Sequence, residues 1–392
     1  GRAGHAAPGC SPRRWDVTVF GKPERLKTSF FYGPAEGDGL KCCVGCEDGD
    51  ADTHDGEASA AANRPSRFAR WESVAPRRHR VRDGTIVLMS TSNRPLAVGV
   101  QLPEIERPVR WPELREMGLA IEDLGFDSIW VGDHLLYETP EGPVGPWEAW
   151  SLLAALAAIT TRVQLGPLVA ATSFHNPAML AKKATTVDEI SDGRLILGLG
   201  AGWNEVEYRA YGFPFDHRAS RFEEAFTIIR TLLREGEIDF EGTYYTARDC
   251  RLVPRSRPGG PPIMIGSIGP RVLAATLPFV DSWNTWHAWF GNTPSGFADL
   301  NATIDEAARA VGRDPAEISR TAALYWQFEG GGGRRQGDTD RHTAEPQAGS
   351  PDELAEAIRA YADVGVDHLQ LVLDPITVRS VELAGRALDL LG

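Results

Sequence analysis

The chain has 392 residues, 42% hydrophobic and 24% charged, a composition that lets a soluble globular chain bury a full core without disulfide or metal staples. Its formal net charge of −13 repels phosphate backbones and argues against nucleic acid as a partner. No apolar stretch approaches the roughly 20 residues that span a bilayer, so no membrane insertion is expected.

The charge is unevenly spread. Residues 1–95 carry 15 Lys/Arg against 12 Asp/Glu, whereas 96–392 carry 26 against 42. Cys10, Cys42, Cys43 and Cys46 all fall in the first stretch, and the first methionine is Met89. Residues 1–95 show neither strand nor helix periodicity, and their start lacks the apolar core of a secretory signal. Cys42-Cys43-x-x-Cys46, with His54 as a fourth ligand, has thiolates close enough to share a metal. Asp/Gly-rich flanks, however, offer no structured turns to hold one. The stretch is expected to be an irregular or disordered extension, or sequence lying upstream of a natural start at Met89.

From Leu96 the pattern becomes regular. Strand-like apolar runs lie at Leu96–Leu102, Ser128–Gly132, Val163–Val169, Leu195–Gly200, Pro262–Ile265, Val280–Trp283, Thr321–Phe328 and His368–Leu373. Helical periodicity follows each of them. Pro112–Leu124 stops at Gly125, a C-cap signal, and Trp147–Thr160 comes next. Pro177–Ile190 starts on a first-turn proline. The fourth crossover is long: Glu205–Tyr211, Arg218–Arg234, then a hairpin through Phe240-Glu-Gly-Thr-Tyr-Tyr. Pro270–Leu277, Gly296–Val311, Pro351–Val364 and Thr377–Leu391 complete the series. Eight strand–helix pairs over 96–392 predict an α/β fold, a (β/α)8 TIM barrel. A doubly wound sheet is the rival, with fewer strands as a rule. The glycine-rich insertion from Gly330 to Gly349 follows strand seven and is expected to be a disordered loop or a mobile lid.

In such a barrel the chemistry gathers at the C-terminal strand ends. Strand two ends at Asp133-His134, where an imidazole can act as acid or base, or bond a cofactor ring. Strand three ends in the small residues Ala170, Ala171 and Thr172, which let a flat group approach the backbone; His175 reads as a loop residue. Strand four ends Gly198-Leu-Gly-Ala-Gly202, an incomplete dinucleotide fingerprint that presents backbone to the pocket centre. Strand five ends Gly266-Ser267-Ile268-Gly269 before Pro270, where free N–H groups at a helix start form a phosphate cradle or simply a tight turn. Strand six adds the indoles of Trp283 and Trp286. There is no His-x-His pair with carboxylates for a metallohydrolase, no Gly-x-Ser-x-Gly elbow, and no carboxylate pair for glycoside cleavage. A flat, phosphorylated redox cofactor across the barrel mouth fits what remains.

The run Leu165-Gly-Pro-Leu-Val, continued by Phe174-His-Asn-Pro-Ala-Met-Leu-Ala-Lys-Lys-Ala-Thr-Thr-Val-Asp-Glu-Ile-Ser-Asp-Gly-Arg-Leu-Ile-Leu-Gly-Leu-Gly-Ala-Gly-Trp-Asn-Glu-Val-Glu-Tyr208, resembles the bacterial luciferase-like monooxygenase superfamily. Arg218, Phe222-Glu-Glu, Pro262-Ile-Met-Ile-Gly and Asp281-Ser-Trp283 continue the likeness, which covers about 96–392 and nothing before it.

The resemblance implies a (β/α)8 barrel holding either coenzyme F420 or reduced FMN at its strand ends. By position, Asp133 and His134 match the family's cofactor-proximal pair, and the Gly-Asp-His form is more similar to the deazaflavin-using branch. Val169, Ala170, Ala171 and Thr172 match the segment beneath the ring, where relatives often carry a bulge or a non-proline cis peptide. Ala201, Gly202 and Trp203 match the loop beside the ring, and Gly266, Ser267, Ile268 and Gly269 the phosphate cradle. Where Trp203 stands, some deazaflavin sugar-phosphate dehydrogenases of the family place a glutamate; an indole cannot replace that proton donor.

The leading expectation is an F420-dependent oxidoreductase that moves a hydride between the deazaflavin C5 and a small organic substrate, with His134 orienting or protonating near the reacting centre. The alternatives are a two-component FMNH2 monooxygenase of the alkanesulfonate or luciferase type, which needs a flavin reductase as partner, and a flavin-binding protein without catalysis. Trp130, Trp203 and Trp283 are expected to report a ring docking at the mouth. The family implies a homodimer. The lack of a targeting segment, with Cys250 the single cysteine after residue 95, points to the cytoplasm.

Overall fold

The computed structural model describes residues 94–333 and 344–392, with the backbone of 81–82 and 85–86. Cys42, Cys43, Cys46, His54, Met89 and residues 334–343 of the glycine-rich insertion lie outside the described residues. Within the stretch expected to be irregular, Val81–Arg82 and Thr85–Ile86 pair as an antiparallel ribbon.

Among the described residues, eight main parallel strands build the sheet, with the short Gln347–Ala348 pairing beside the seventh: β1 (Ala97–Gln101), β2 (Ser128–Val131), β3 (Gln164–Pro167), β4 (Leu197–Gly200), β5 (Ile263–Gly266), β6 (Ser282–Thr285), β7 (Ser319–Gln327) and β8 (His368–Asp374). From β4 to β8 each pairs with the next, β8 pairs onto β1, and β1 and β2 lead to β3. The third strand brings the ends together. Its first part, β3, pairs with β2, and after a break Ala170–Ala171 pairs with Leu199 and Gly200 of β4. The break holds a cis peptide between Leu168 and Val169. The expected TIM barrel is therefore the architecture found, nearly closed.

Nine helices lie between or after the strands: α1 (Trp111–Asp123), α2 (Ala149–Ile159), α3 (Pro177–Ile190), α4 (Glu205–Tyr211), α5 (Arg218–Glu235), α6 (Pro270–Thr276), α7 (Pro294–Ala310), α8 (Pro351–Asp363) and α9 (Val378–Asp389), counted among the described residues. Their starts are encoded locally. Asn176, Thr293 and Thr377 accept hydrogen bonds from first-turn N–H groups, and Ser350 with Glu353 forms a reciprocal capping box, each cap stabilising by about 1 kcal/mol. None of these helices is long and apolar enough to cross a membrane.

Both faces of the strands are covered, so β1 and β8 are buried at every residue, with Gln101, His368, Gln370 and Asp374 as buried polar positions among the apolar ones. Outward residues such as Val98, Val100, Ile129 and Val131 join the helices in the main core. Inward residues fill the lumen: Trp130, Leu168, Ile196 and Met264 form one cluster, Ala323, Tyr325 and Val372 another.

β6 begins two residues later than its apolar run suggests. The Asp281 carboxylate accepts hydrogen bonds from the Ile263 N–H and from Arg234, so Val280 and Asp281 form the lead-in to β6 rather than its start. The expected hairpin of the fourth crossover pairs Glu237–Glu241 with Thr246–Arg251. An unexpected one, Tyr137–Thr139 with Gly142–Val144, follows β2.

Candidate active site

A cavity of about 480 Å³ opens at the C-terminal strand ends, within the usual range for small-molecule sites. All the residues matched by position to the cofactor site line it except Ala170 and Thr172. Those two are fully buried, Ala170 within the pairing to β4. The wall includes Trp286, whose indole the end of strand six was expected to add, and also Glu104, Tyr137, Arg218 and Trp289, which sequence reasoning did not single out as site residues.

The end of β2 divides two adjacent residues between two tasks. Asp133, 3% exposed, accepts hydrogen bonds from the Ala171 N–H and His175 Nε2, both at 3.0 Å. It thereby ties the strand-two end to the resumed third strand. His175 is thus a partner of Asp133, away from the cavity wall. His134 points instead to two other carboxylates. Its Nδ1 donates to Glu207 Oε1 at 2.8 Å, and its Nε2 lies 3.7 Å from Glu104 Oε1.

Glu207 comes from α4 and is fully buried. It also accepts from the Leu135 N–H, so it fixes both the ring and the loop that carries it. Glu104 comes from the turn after β1, accepts from Tyr137 Oη at 2.8 Å and from Gln101 Nε2 at 3.2 Å, and lies over Gly132, where a Cβ would stand 2.6 Å from Oε1. Burial opposes charging His134. Glu104, the hydrogen bond to Glu207, the Glu207 charge and Asp133 outweigh it, so the pKa is raised above the ordinary imidazole value.

Reading the end of strand one would have found Glu104. No sequence signal marks Glu207, because only the packing of α4 against the strand-two loop brings it to His134.

The opposite wall is made largely of backbone. Gly200 and Gly202 do present backbone to the cavity as the sequence suggested, with Gly266 of β5 beside them; the glycines of β4 and β5 also accommodate Val169. A Cβ at Gly198 would stand 2.3 Å from the Pro167 carbonyl oxygen and 2.9 Å from Val169, and one at Gly200 2.8 Å from Val169. Gly202 has φ +75°, and a Cβ there would meet Tyr208 Oη at 1.7 Å. Only glycine meets both demands. Arg218, at the start of α5, donates from Nη1 to the Gly202 carbonyl at 2.8 Å and lies over the Phe215 ring at 4.2 Å.

In the Gly266–Gly269 loop the Ser267 hydroxyl accepts from the Gly269 N–H at 3.1 Å, and Trp283 Nε1 donates to the Ser267 carbonyl at 2.8 Å. Trp283 therefore buttresses the loop from behind. It and Trp130 are fully buried, so neither faces a docking ring, contrary to expectation. Period-two alternation turns Trp283 outward against Phe297 and Trp130 into the lumen. The indoles on the cavity wall are Trp203, Trp286 and Trp289. Among the described residues, no group of three or more His, Cys, Asp or Glu side chains is placed to hold a metal ion.

The model of the luciferase-like monooxygenase family matches residues 89–328. The chain belongs to this family. Its relatives within the luciferase-like family are oxidoreductases. The F420-dependent glucose-6-phosphate dehydrogenase of Amycolatopsis mediterranei is 28% identical over 66% of this chain and 87% of its own length. The pyrimidine monooxygenase RutA of Methylobacterium radiotolerans is 38% identical, but over 40% of this chain and 42% of its own length; the chain thus spans less than half of that relative.

Two solved structures share the luciferase-like barrel fold. An F420-dependent secondary alcohol dehydrogenase in complex with an F420-acetone adduct matches with a TM-score of 0.64 at 19% identity, over 76% of this chain and 99% of that one. The coenzyme F420-dependent tetrahydromethanopterin reductase of Methanopyrus kandleri matches with a TM-score of 0.60 at 19% identity and the same coverage.

Proposed function

We propose that this luciferase-like protein is an F420-dependent oxidoreductase acting on a small organic substrate. The observation that carries the reading is His134, held by Glu207 and facing Glu104 on the wall of a cavity at the strand ends. The likeness to an F420-dependent dehydrogenase over most of that enzyme's length supports the choice of cofactor.

The residues fit such a group. The backbone wall at Ala171 and Ala201 accepts a flat ring closely, and a Cβ at Gly269 would meet only Ser267 Oγ, at 3.5 Å, which leaves the loop open to a phosphate. Arg218 is a cation on the same wall. When bound, the deazaflavin supplies hydride exchange at its C5.

The chain's own contribution is positional and protonic. Glu207 fixes Nδ1 as the donor nitrogen, which leaves Nε2 to hold or accept a proton beside the reacting centre. Tyr137 and Gln101 keep Glu104 in place, and Glu104 raises the proton affinity of Nε2. Val169, Leu168 and the indoles give the cavity an apolar wall.

A second reading, an FMNH2-dependent monooxygenase supplied by a flavin reductase, is favoured by the higher identity to the pyrimidine monooxygenases in the stretch they share. Titrating the full chain with F420 and with FMN, read by tryptophan quenching, separates the two. Tighter binding of F420 is expected. Preference for FMN moves the protein to the oxygen-activating reading, and binding of neither sinks both.

A further inference from the structure

The cofactor-matched segments leave one stretch of wall unclaimed. Among the described residues it includes Gln101, Glu104, Ile105, Tyr137, Trp286 and Trp289. Tyr137 continues into aromatic surface, its ring 4.8 Å from that of His134 and 6.2 Å from that of Trp203. Flat apolar rings therefore make up much of this side, and they favour a planar partner through offset or edge-to-face packing.

The charges point the same way. Glu104 and Asp133 line the cavity, and Glu207 lies behind His134. Against these three carboxylates stand His134 and Arg218, the two cationic side chains of the wall among the described residues. Arg218 has Nη1 on the Gly202 carbonyl and its plane over Phe215, at the loop matched to the cofactor. His134 gives Nδ1 to Glu207 and holds Nε2 3.7 Å from Glu104 Oε1, so a carboxylate already faces its second nitrogen. A phosphate or sulfonate on the substrate would need a forked guanidinium or an ammonium; on this wall it meets Glu104 instead.

We propose that the substrate is an uncharged, planar aromatic molecule seated between the Tyr137–Trp203 side and Trp286 and Trp289, and that anionic sugar phosphates are rejected. The proposal rests on the cavity being the redox site, and it concerns the part of the cavity that a cofactor leaves free.

The test uses the full chain saturated with the cofactor that the preceding titration identifies. Calorimetry then compares 1-naphthol, 1-naphthyl phosphate and glucose 6-phosphate. Naphthol is expected to bind at least about ten-fold tighter than its phosphate, which shares the ring and differs in charge, and tighter than the sugar phosphate. Trp286→Ala should weaken naphthol by about ten-fold, and Trp289→Ala should do likewise if the first variant does not fold. Glu104→Gln should narrow the gap between naphthol and naphthyl phosphate. Equal or tighter binding of either phosphate, or no binding of naphthol, overturns the proposal. Should neither cofactor bind, the redox reading falls on that titration alone, and the order of the three ligands on the free chain still decides the charge and shape argument.

Discussion

The mouth and the lumen of this barrel each hold a histidine among buried neighbours, and the two titrate in opposite directions. At the mouth, carboxylates surround His134 and raise its pKa despite burial. In the lumen, His368 is fully buried, with Nε2 2.7 Å from Ser128 Oγ and Nδ1 unpartnered. Burial pushes its pKa down to about 4, against weak opposition from Asp127. The same residue type serves as a proton carrier where charges are gathered and as a neutral packing element where they are not. Mouth and lumen should therefore fail differently: the mouth in turnover, the lumen in stability.

The largest expected effect is at the mouth. His134→Ala should lower turnover by about 10²–10⁴-fold with the fold kept, and should cost about 1–3 kcal/mol of stability because the buried Glu207 loses its partner. Unchanged turnover removes His134 from the mechanism. In the upper lumen the expectation reverses. Gly198→Ala places a Cβ against the Pro167 carbonyl and Val169 and should cost about 3 kcal/mol of stability in chemical denaturation. A cost below about 1 kcal/mol would show that the break in the third strand yields easily.

Asp133 joins the two regions. Asp133→Ala leaves the Ala171 N–H and His175 without their acceptor, and should cost about 1–3 kcal/mol together with cofactor affinity. Loss of stability without loss of affinity would make Asp133 purely structural.

The smallest effects separate the histidines by pH. Because folding raises the His134 pKa, its stabilisation is fully present below the unfolded-state value and fades as pH rises through the folded one. Because folding lowers the His368 pKa to about 4 from 6.5, the unfolded chain takes up the proton first, and stability is lost as pH falls through that window. Denaturation curves of His368→Asn should lack this loss on the acid side, and those of Glu207→Gln should weaken the His134 dependence on the alkaline side. A parent curve flat over the whole range contradicts both assignments.

The alternation of apolar runs with capped amphipathic stretches determined the barrel by itself. The helix-covered face of each parallel strand must be apolar, and capping side chains such as Asn176, Ser350 and Thr377 mark helix starts. Strand ends located the mouth, and with it Asp133, His134 and the Gly266–Gly269 loop. Local pattern says nothing, however, about which side chains from distant segments meet there. Glu104 and Glu207 are 103 residues apart, yet both lie within 4 Å of one imidazole. The glycines of β4 and β5 make room for Val169, which only the folded third strand brings against them. Trp130 and Trp283 turn away from the cavity while Trp203, Trp286 and Trp289 face it. Secondary structure follows from short-range periodicity and capping, which a sequence carries openly. The charges around His134 and the shape of the cavity depend on closing the barrel, and long-range packing alone decides them.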